Sequence, residues 1–62
     1  MVRDIQRELR DLGLYEGPLD GRYDARVKDA IRRFERKHGE IGEGTPLADA
    51  LHRIISVRDA LH

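Results

Sequence analysis

The sequence has no cysteine and very few hydroxyl side chains. Its 62 residues include a single serine, Ser56, and a single threonine, Thr45. Without cysteine the chain has no disulfide, no thiolate metal ligand and no thiol nucleophile. Neither hydroxyl stands in the strand–turn–helix context of a nucleophile elbow, and Thr45 is better explained as a helix cap. We therefore predict that the chain is not an enzyme, has no catalytic residue and carries no cofactor.

The sequence also lacks long apolar runs and an excess of charge of either sign. No stretch approaches the roughly 18 apolar residues of a membrane span, and the first residues do not resemble a secretory signal. Twelve Lys and Arg balance twelve Asp and Glu, so the formal net charge is zero. Because nucleic-acid binding depends on neutralising phosphates, this balance argues against a nucleic-acid partner. A chain of 62 residues forms one small domain, which we expect to be monomeric.

Three segments place apolar residues three and four positions apart, the spacing of amphipathic helices. The first two helices are predicted over residues 2–12 and 25–38. The third is predicted to open at Thr45-Pro46, with Thr45 as N-cap and Pro46 at the first helical position.

The residues between these segments have the chemistry of caps and turns. Gly13 is predicted to end the first helix in a left-handed conformation, as in a Schellman motif. Asp24 is predicted to cap the second helix and Gly39 to end it. Asp20-Gly21 is a turn signal, in which Gly21 takes a positive φ.

These elements predict an all-α fold, a small three-helix bundle with a packed Gly/Pro-rich loop between helices 1 and 2. The apolar stripes and one loop leucine are expected to share a single core. The apolar stripe of the third helix is expected to continue to Val57 or Arg58. The predicted core residues are Ile5, Leu9, Leu12, Leu19, Val27, Ile31, Phe34, Leu47, Leu51 and Ile54.

The histidines do not predict a metal site. His38, His52 and His62 are 14 and 10 residues apart, whereas helical metal ligands favour spacings such as i and i+4. His38 instead suits the end of a helix, where an imidazolium interacts favourably with the dipole.

Ligand-binding side chains are predicted in the loop. Tyr15 and Tyr23 flank the turn and have flat apolar faces that suit a sugar ring, although each ring could equally serve to cover the loop.

A second candidate surface lies on the second helix. Lys28, Arg32, Arg33 and Arg36 fall opposite its apolar stripe. Such a row is typical of a solvated face, and it would also suit an acidic partner.

Residues 2–39 resemble the peptidoglycan-binding domain that is appended to bacterial cell-wall hydrolases. The resemblance continues more weakly through Gly44 and the stripe from Leu47 to Leu51. The residues that carry it are Val2, Ile5-Gln6, Leu9, Leu12-Gly13-Leu14-Tyr15, Gly17, Asp20-Gly21, Tyr23-Asp24, Val27, Ala30-Ile31, Phe34-Glu35 and Gly39. The chain departs from the family pattern at Asp24 (usually Gly), Val27 (usually Thr), Glu35 (usually Gln) and Glu40 (usually Leu).

The resemblance implies a non-catalytic three-helix module that binds peptidoglycan, through its glycan or its stem peptide, while a neighbouring domain does the chemistry. The implied site is a shallow groove beside the loop, with Tyr15 or Tyr23 as its aromatic face. Asp20 would supply a carboxylate acceptor there, and Arg22 a guanidinium for stem-peptide carboxylates. So few contacts imply weak affinity, about micromolar to millimolar. The resemblance also implies one domain over residues 1–62, excised from a longer chain that supplies the export signal, and a location in the cell envelope or periplasm. The alternative is a protein-interaction module of the same fold, which has lost glycan binding and uses the basic face of helix 2.

Overall fold

The computed structural model describes residues 1–42 and 44–61. This part of the chain contains three α-helices and no strand: α1 (Val2–Asp11), α2 (Ala25–His38) and α3 (Leu47–Ala60). Helix α1 packs against both other helices, and its contact with α3 is the more extensive. The predicted all-α three-helix bundle is confirmed. Within the described ranges no helix is both long and apolar enough to cross a membrane.

Helix α1 ends in the predicted Schellman motif. Gly13 has a φ of 77°, in the left-handed region that favours glycine. Its N–H donates to the carbonyl of Arg10 at 2.9 Å, and the N–H of Leu14 donates to the carbonyl of Leu9 at 2.8 Å. These two bonds satisfy carbonyls at the end of the helix and turn the chain back towards the bundle.

Helix α2 begins and ends at the predicted residues. The Asp24 side chain accepts from the backbone N–H groups of Arg26 at 3.1 Å and Val27 at 3.3 Å, as an N-cap does. Gly39 follows the last residue with a φ of 101°. The predicted N-cap at Asp24 and the predicted end of the helix at Gly39 are confirmed.

The start of α3 differs from the prediction that Thr45 is its N-cap, and that prediction is wrong. The N-cap is Pro46, whose carbonyl accepts from the N–H groups of Asp49 and Ala50. The Thr45 hydroxyl donates instead to the carbonyl of Ile41 at 2.8 Å. The hydroxyl therefore stabilises the link between α2 and α3, and the helix begins one residue later than expected.

The predicted core residues all lie in or against the core, but they differ in how completely they are buried. Five are fully buried: Ile5, Leu9, Val27, Phe34 and Ile54. The other five are partly buried and pack against them: Leu12, Leu19, Ile31, Leu47 and Leu51. Three buried residues of apolar character are absent from the predicted core, namely Tyr15, Ala30 and Ala50.

A buried ion pair joins α1 to α3. Glu8 is 5% exposed, and its carboxylate accepts from the guanidinium of Arg58, which is half-buried. Removing the Glu8 charge from water is costly, and the Arg58 guanidinium compensates it at the contact between the two helices. Val57, the other residue considered for the end of this stripe, packs against the apolar core.

We predict that Phe34→Ala removes most of the stability of the domain. Phe34 is fully buried in the hydrophobic core. Its truncation should lower the free energy of unfolding by about 3–5 kcal/mol, which is comparable with the whole stability of so small a domain. Urea unfolding followed by circular dichroism measures this change. The exposed control Lys37→Ala should remain within about 0.5 kcal/mol of wild type, and equal midpoints for the two variants would contradict the core assignment.

Candidate functional site

The side-chain amide of Gln6 organises the loop between α1 and α2. Gln6 is fully buried, although it lies on a helix whose other face is charged. Its Oε1 accepts from the N–H of Gly21 at 2.9 Å. Its Nε2 lies 3.0 Å from Oδ1 of Asp20 and 3.1 Å from the carbonyl oxygen of Arg22. Because a buried amide is costly when unpaired, these bonds hold the turn firmly against α1.

Tyr15 completes this polar cluster from the core side. Its ring is 3% exposed. The hydroxyl donates to the carbonyl of Pro18 at 2.7 Å and accepts from Nε2 of Gln6 at 3.2 Å. Burial, reinforced by the negative charges of Asp20 and Asp24, raises the pKa of Tyr15 above its ordinary value. The ring therefore supports the loop from inside and does not offer an open face for a sugar.

The close approach of Gly17 to Tyr15 explains why glycine stands at that position. A Cβ at residue 17 would lie 2.6 Å from the Tyr15 hydroxyl oxygen and 2.7 Å from its Cζ. Real Cβ atoms do not come that near, so any larger residue would displace the ring or the loop.

Asp20 and Gly21 form the predicted turn. Oδ1 of Asp20 accepts from the backbone N–H of Arg22 at 3.0 Å, and Gly21 has a φ of 76°. The hydrogen bond from Arg22, together with that from Gln6, holds the pKa of the Asp20 carboxyl below its ordinary value. Asp20 is exposed, but its Oδ1 already accepts two hydrogen bonds from within the domain.

Arg22 and Tyr23 are exposed, as Asp20 is, and the Tyr23 ring is 45% exposed. Nζ of Lys28 lies 5.8 Å from the centroid of that ring, a cation–π arrangement. Tyr23 forms one wall of a groove of about 280 Å³ between α2, the α2–α3 link and the start of α3.

A second pocket, of about 380 Å³, lies on the other side of α2. Tyr15 and Gly17 contribute to it from the loop, and Arg26, Asp29 and Arg33 contribute from the helix. The aromatic side chain here is buried, so this pocket presents charged groups rather than a stacking surface.

The structure thus divides the four predicted ligand-binding residues. Tyr15 and Asp20 meet at Gln6 inside the loop, whereas Arg22 and Tyr23 face outwards. Ligand binding by these residues stays a prediction. The role of Gln6 was not predicted from the sequence, where this residue appears only among those that carry the family resemblance. The available signal was a lone glutamine next to the apolar Ile5, in a chain with no other side-chain amide.

Within residues 1–42 and 44–61 the structure brings together no group of three or more His, Asp or Glu side chains that could hold a metal ion. Of the three histidines considered, His62 lies outside the described residues.

We predict that Gln6→Leu loosens the loop and destabilises the domain. The change keeps a similar volume but leaves the Gly21 N–H without its acceptor, and such a loss costs about 1–3 kcal/mol. Chemical denaturation measures the stability, and amide hydrogen exchange at Gly21 should become faster. Arg7→Leu, at the neighbouring exposed position, is the matched control and should leave that exchange rate unchanged. Unaltered protection of Gly21 in Gln6→Leu would show that the amide does not hold the turn.

We predict that Asp20 makes the domain sensitive to acid. A carboxyl with a lowered folded-state pKa stabilises the fold fully above its unfolded value, which is 3.8, and loses that contribution as the pH falls through the folded value. Wild type should therefore lose stability below this pH. Asp20→Asn keeps an acceptor oxygen but cannot be protonated, so its stability should fall less steeply over the same range. Thermal melts between pH 2 and 7 compare the two chains, and parallel curves would contradict the assignment.

Residues 1–40 match a protein family described as "Putative peptidoglycan binding domain". No curated protein matches the chain, and no solved structure does. The matched residues contain α1, the loop that Gln6 holds against it, and α2. Since the match covers more than half of the 62 residues, the chain belongs to the peptidoglycan-binding domain family.

Proposed function

We propose that this chain is a non-catalytic module that holds bacterial cell-wall peptidoglycan for a neighbouring domain. The observation that carries the proposal is its membership of the peptidoglycan-binding domain family through α1, the loop and α2. The location that follows is the cell envelope or periplasm, reached through the parent protein.

We place the ligand in the groove beside Tyr23, which we call the Tyr23 groove. Of the two loop tyrosines, Tyr23 is the one whose ring is accessible, and a partly exposed aromatic face suits the apolar side of a sugar ring or a peptide. Arg22 precedes it with an exposed side chain. Tyr15 and Asp20 act indirectly in this proposal, because they fix the loop that presents Tyr23.

The groove is open and small, so a single site is expected to bind weakly. Retention on the wall then depends on the polymer, which repeats the same unit and keeps a released module close to further sites. Weak individual contacts allow a tethered catalytic domain to move along its substrate while it remains attached.

Sedimentation with purified peptidoglycan sacculi tests the proposed function. The chain should appear in the pellet with sacculi. The alternative module, which binds an acidic protein through the basic face of α2, should stay in the supernatant. Recovery of the whole chain in the supernatant over a range of sacculus concentrations would overturn the proposal.

We predict that Tyr23→Ala weakens pelleting, because it removes the exposed ring that borders the groove. Loss of about 1 kcal/mol of aromatic contact corresponds to roughly a fivefold weaker affinity. Leu61→Ala is the matched control, since Leu61 is also an exposed apolar residue but lies at the far end of α3, about 20 Å from its first turn. Equal pelleting of the two variants would place the ligand elsewhere.

A further inference from the structure

The Tyr23 groove has an apolar floor and a charged rim. Its floor is formed by side chains of α2, the link and α3, and its rim carries two cations of α2. We call floor residues the apolar lining residues that are buried or partly buried, namely Ile31, Ile41, Leu47 and Ala50. The rim residues are exposed, namely Tyr23, Lys28 and Arg32. A ligand that fits this groove therefore has an apolar part and a polar or anionic part.

Glu35 is the acidic residue among those that line the groove in the described part of the chain, and one of its carboxylate oxygens is already occupied. Oε2 of Glu35 accepts from the backbone N–H of Ile41 at 3.0 Å and from that of Gly42 at 3.4 Å. The Thr45 hydroxyl bonds the same stretch through the carbonyl of Ile41. Glu35 thus helps to hold the link in place.

Within the part of the chain that the structure describes, the two cations of the rim have no carboxylate partner, and Lys28 instead lies near the Tyr23 ring. Across residues 1–42 and 44–61, no carboxylate forms an ion pair with Lys28 or Arg32. The two side chains are four residues apart on one helix, a spacing that places their Cβ atoms about 6 Å apart on the same face. An ammonium and a guanidinium at that spacing can receive one carboxylate between them.

We propose that Lys28 and Arg32 recognise a free carboxylate of the peptidoglycan stem peptide, and that the Tyr23 groove takes the peptide rather than the glycan. This inference rests on the proposed function and names the part of the ligand that the same site binds. The apolar floor accommodates the aliphatic part of the peptide, and the rim cations compensate its negative charge. The sequence analysis had assigned Tyr23 and these cations to competing sites, whereas the structure places them around one groove.

Binding of soluble muropeptides tests the proposal by two independent changes. The first alters the ligand: free-acid muropeptides are compared with the same fragments after their carboxylates are coupled to methylamine. The second alters the protein: Lys28→Gln/Arg32→Gln is compared with Arg33→Gln/Lys37→Gln. The control pair has the same spacing and loses the same charge from the same helix, but it does not line the groove. Dissociation constants come from amide chemical-shift titrations, and far-UV circular dichroism verifies that each variant is folded.

The expected result is a loss of about tenfold in affinity when the carboxylates are amidated, and a similar loss in Lys28→Gln/Arg32→Gln. The control pair should retain most of the wild-type affinity. Raising the salt from 0.1 to 1 M should weaken free-acid binding, because the screening length falls from about 10 Å to about 3 Å.

Three outcomes overturn the inference and separate it from the proposed function. Equal affinity of wild type for free-acid and amidated fragments, or undiminished binding of peptide-free glycan strands, would show that the module binds the wall through another group. Equal weakening by both double variants would show a general charge effect. If wild type binds neither muropeptides nor sacculi, the proposed function itself fails. The comparison of the two ligands uses wild type alone, so it holds even if a variant does not fold.

Discussion

The buried side-chain amide of Gln6 is the interaction on which the shape of this domain depends. The loop between α1 and α2 has no hydrogen-bond ladder of its own, and a packed loop must still satisfy its backbone groups. Gln6 provides an acceptor for the Gly21 N–H and donors for Asp20 and Arg22. In the described residues no buried side-chain polar atom lacks a partner, so the cluster is fully satisfied. A satisfied cluster of this kind fixes one loop conformation, because alternatives would leave its members unpaired.

The fixed loop gives its two tyrosines opposite roles. Tyr15 turns inwards, where its hydroxyl joins the Gln6 cluster and its ring packs in the core. The close contact of Gly17 with that ring keeps the loop tight. Tyr23 lies after the turn and faces outwards beside α2. The polar cluster therefore determines which of the two aromatic rings is exposed.

Helix α2 connects this loop to the rest of the proposed site. The apolar face of α2 contributes Val27 and Phe34 to the core. Other residues of the same helix line two pockets, one to each side of it. Glu35, where the family usually has glutamine, bonds two N–H groups of the α2–α3 link and so builds one wall of the Tyr23 groove. A departure from the family pattern thus has a local structural role. In the site that we propose, the positive charges of α2 then favour the anionic part of the ligand.

The sequence by itself determined the three helices, the Schellman turn at Gly13, the Asp24 cap and most of the core. These features depend on periodicity and on contacts between residues a few positions apart, which a sequence displays directly. Only the tertiary structure decided that Thr45 bonds the link instead of capping α3, that Tyr15 is buried, and that Gln6 joins a turn 15 residues away. The physical reason is that a polar side chain has several possible partners of similar strength. Which of them it bonds depends on how the helices pack, because packing decides which groups lose their water and must be paired.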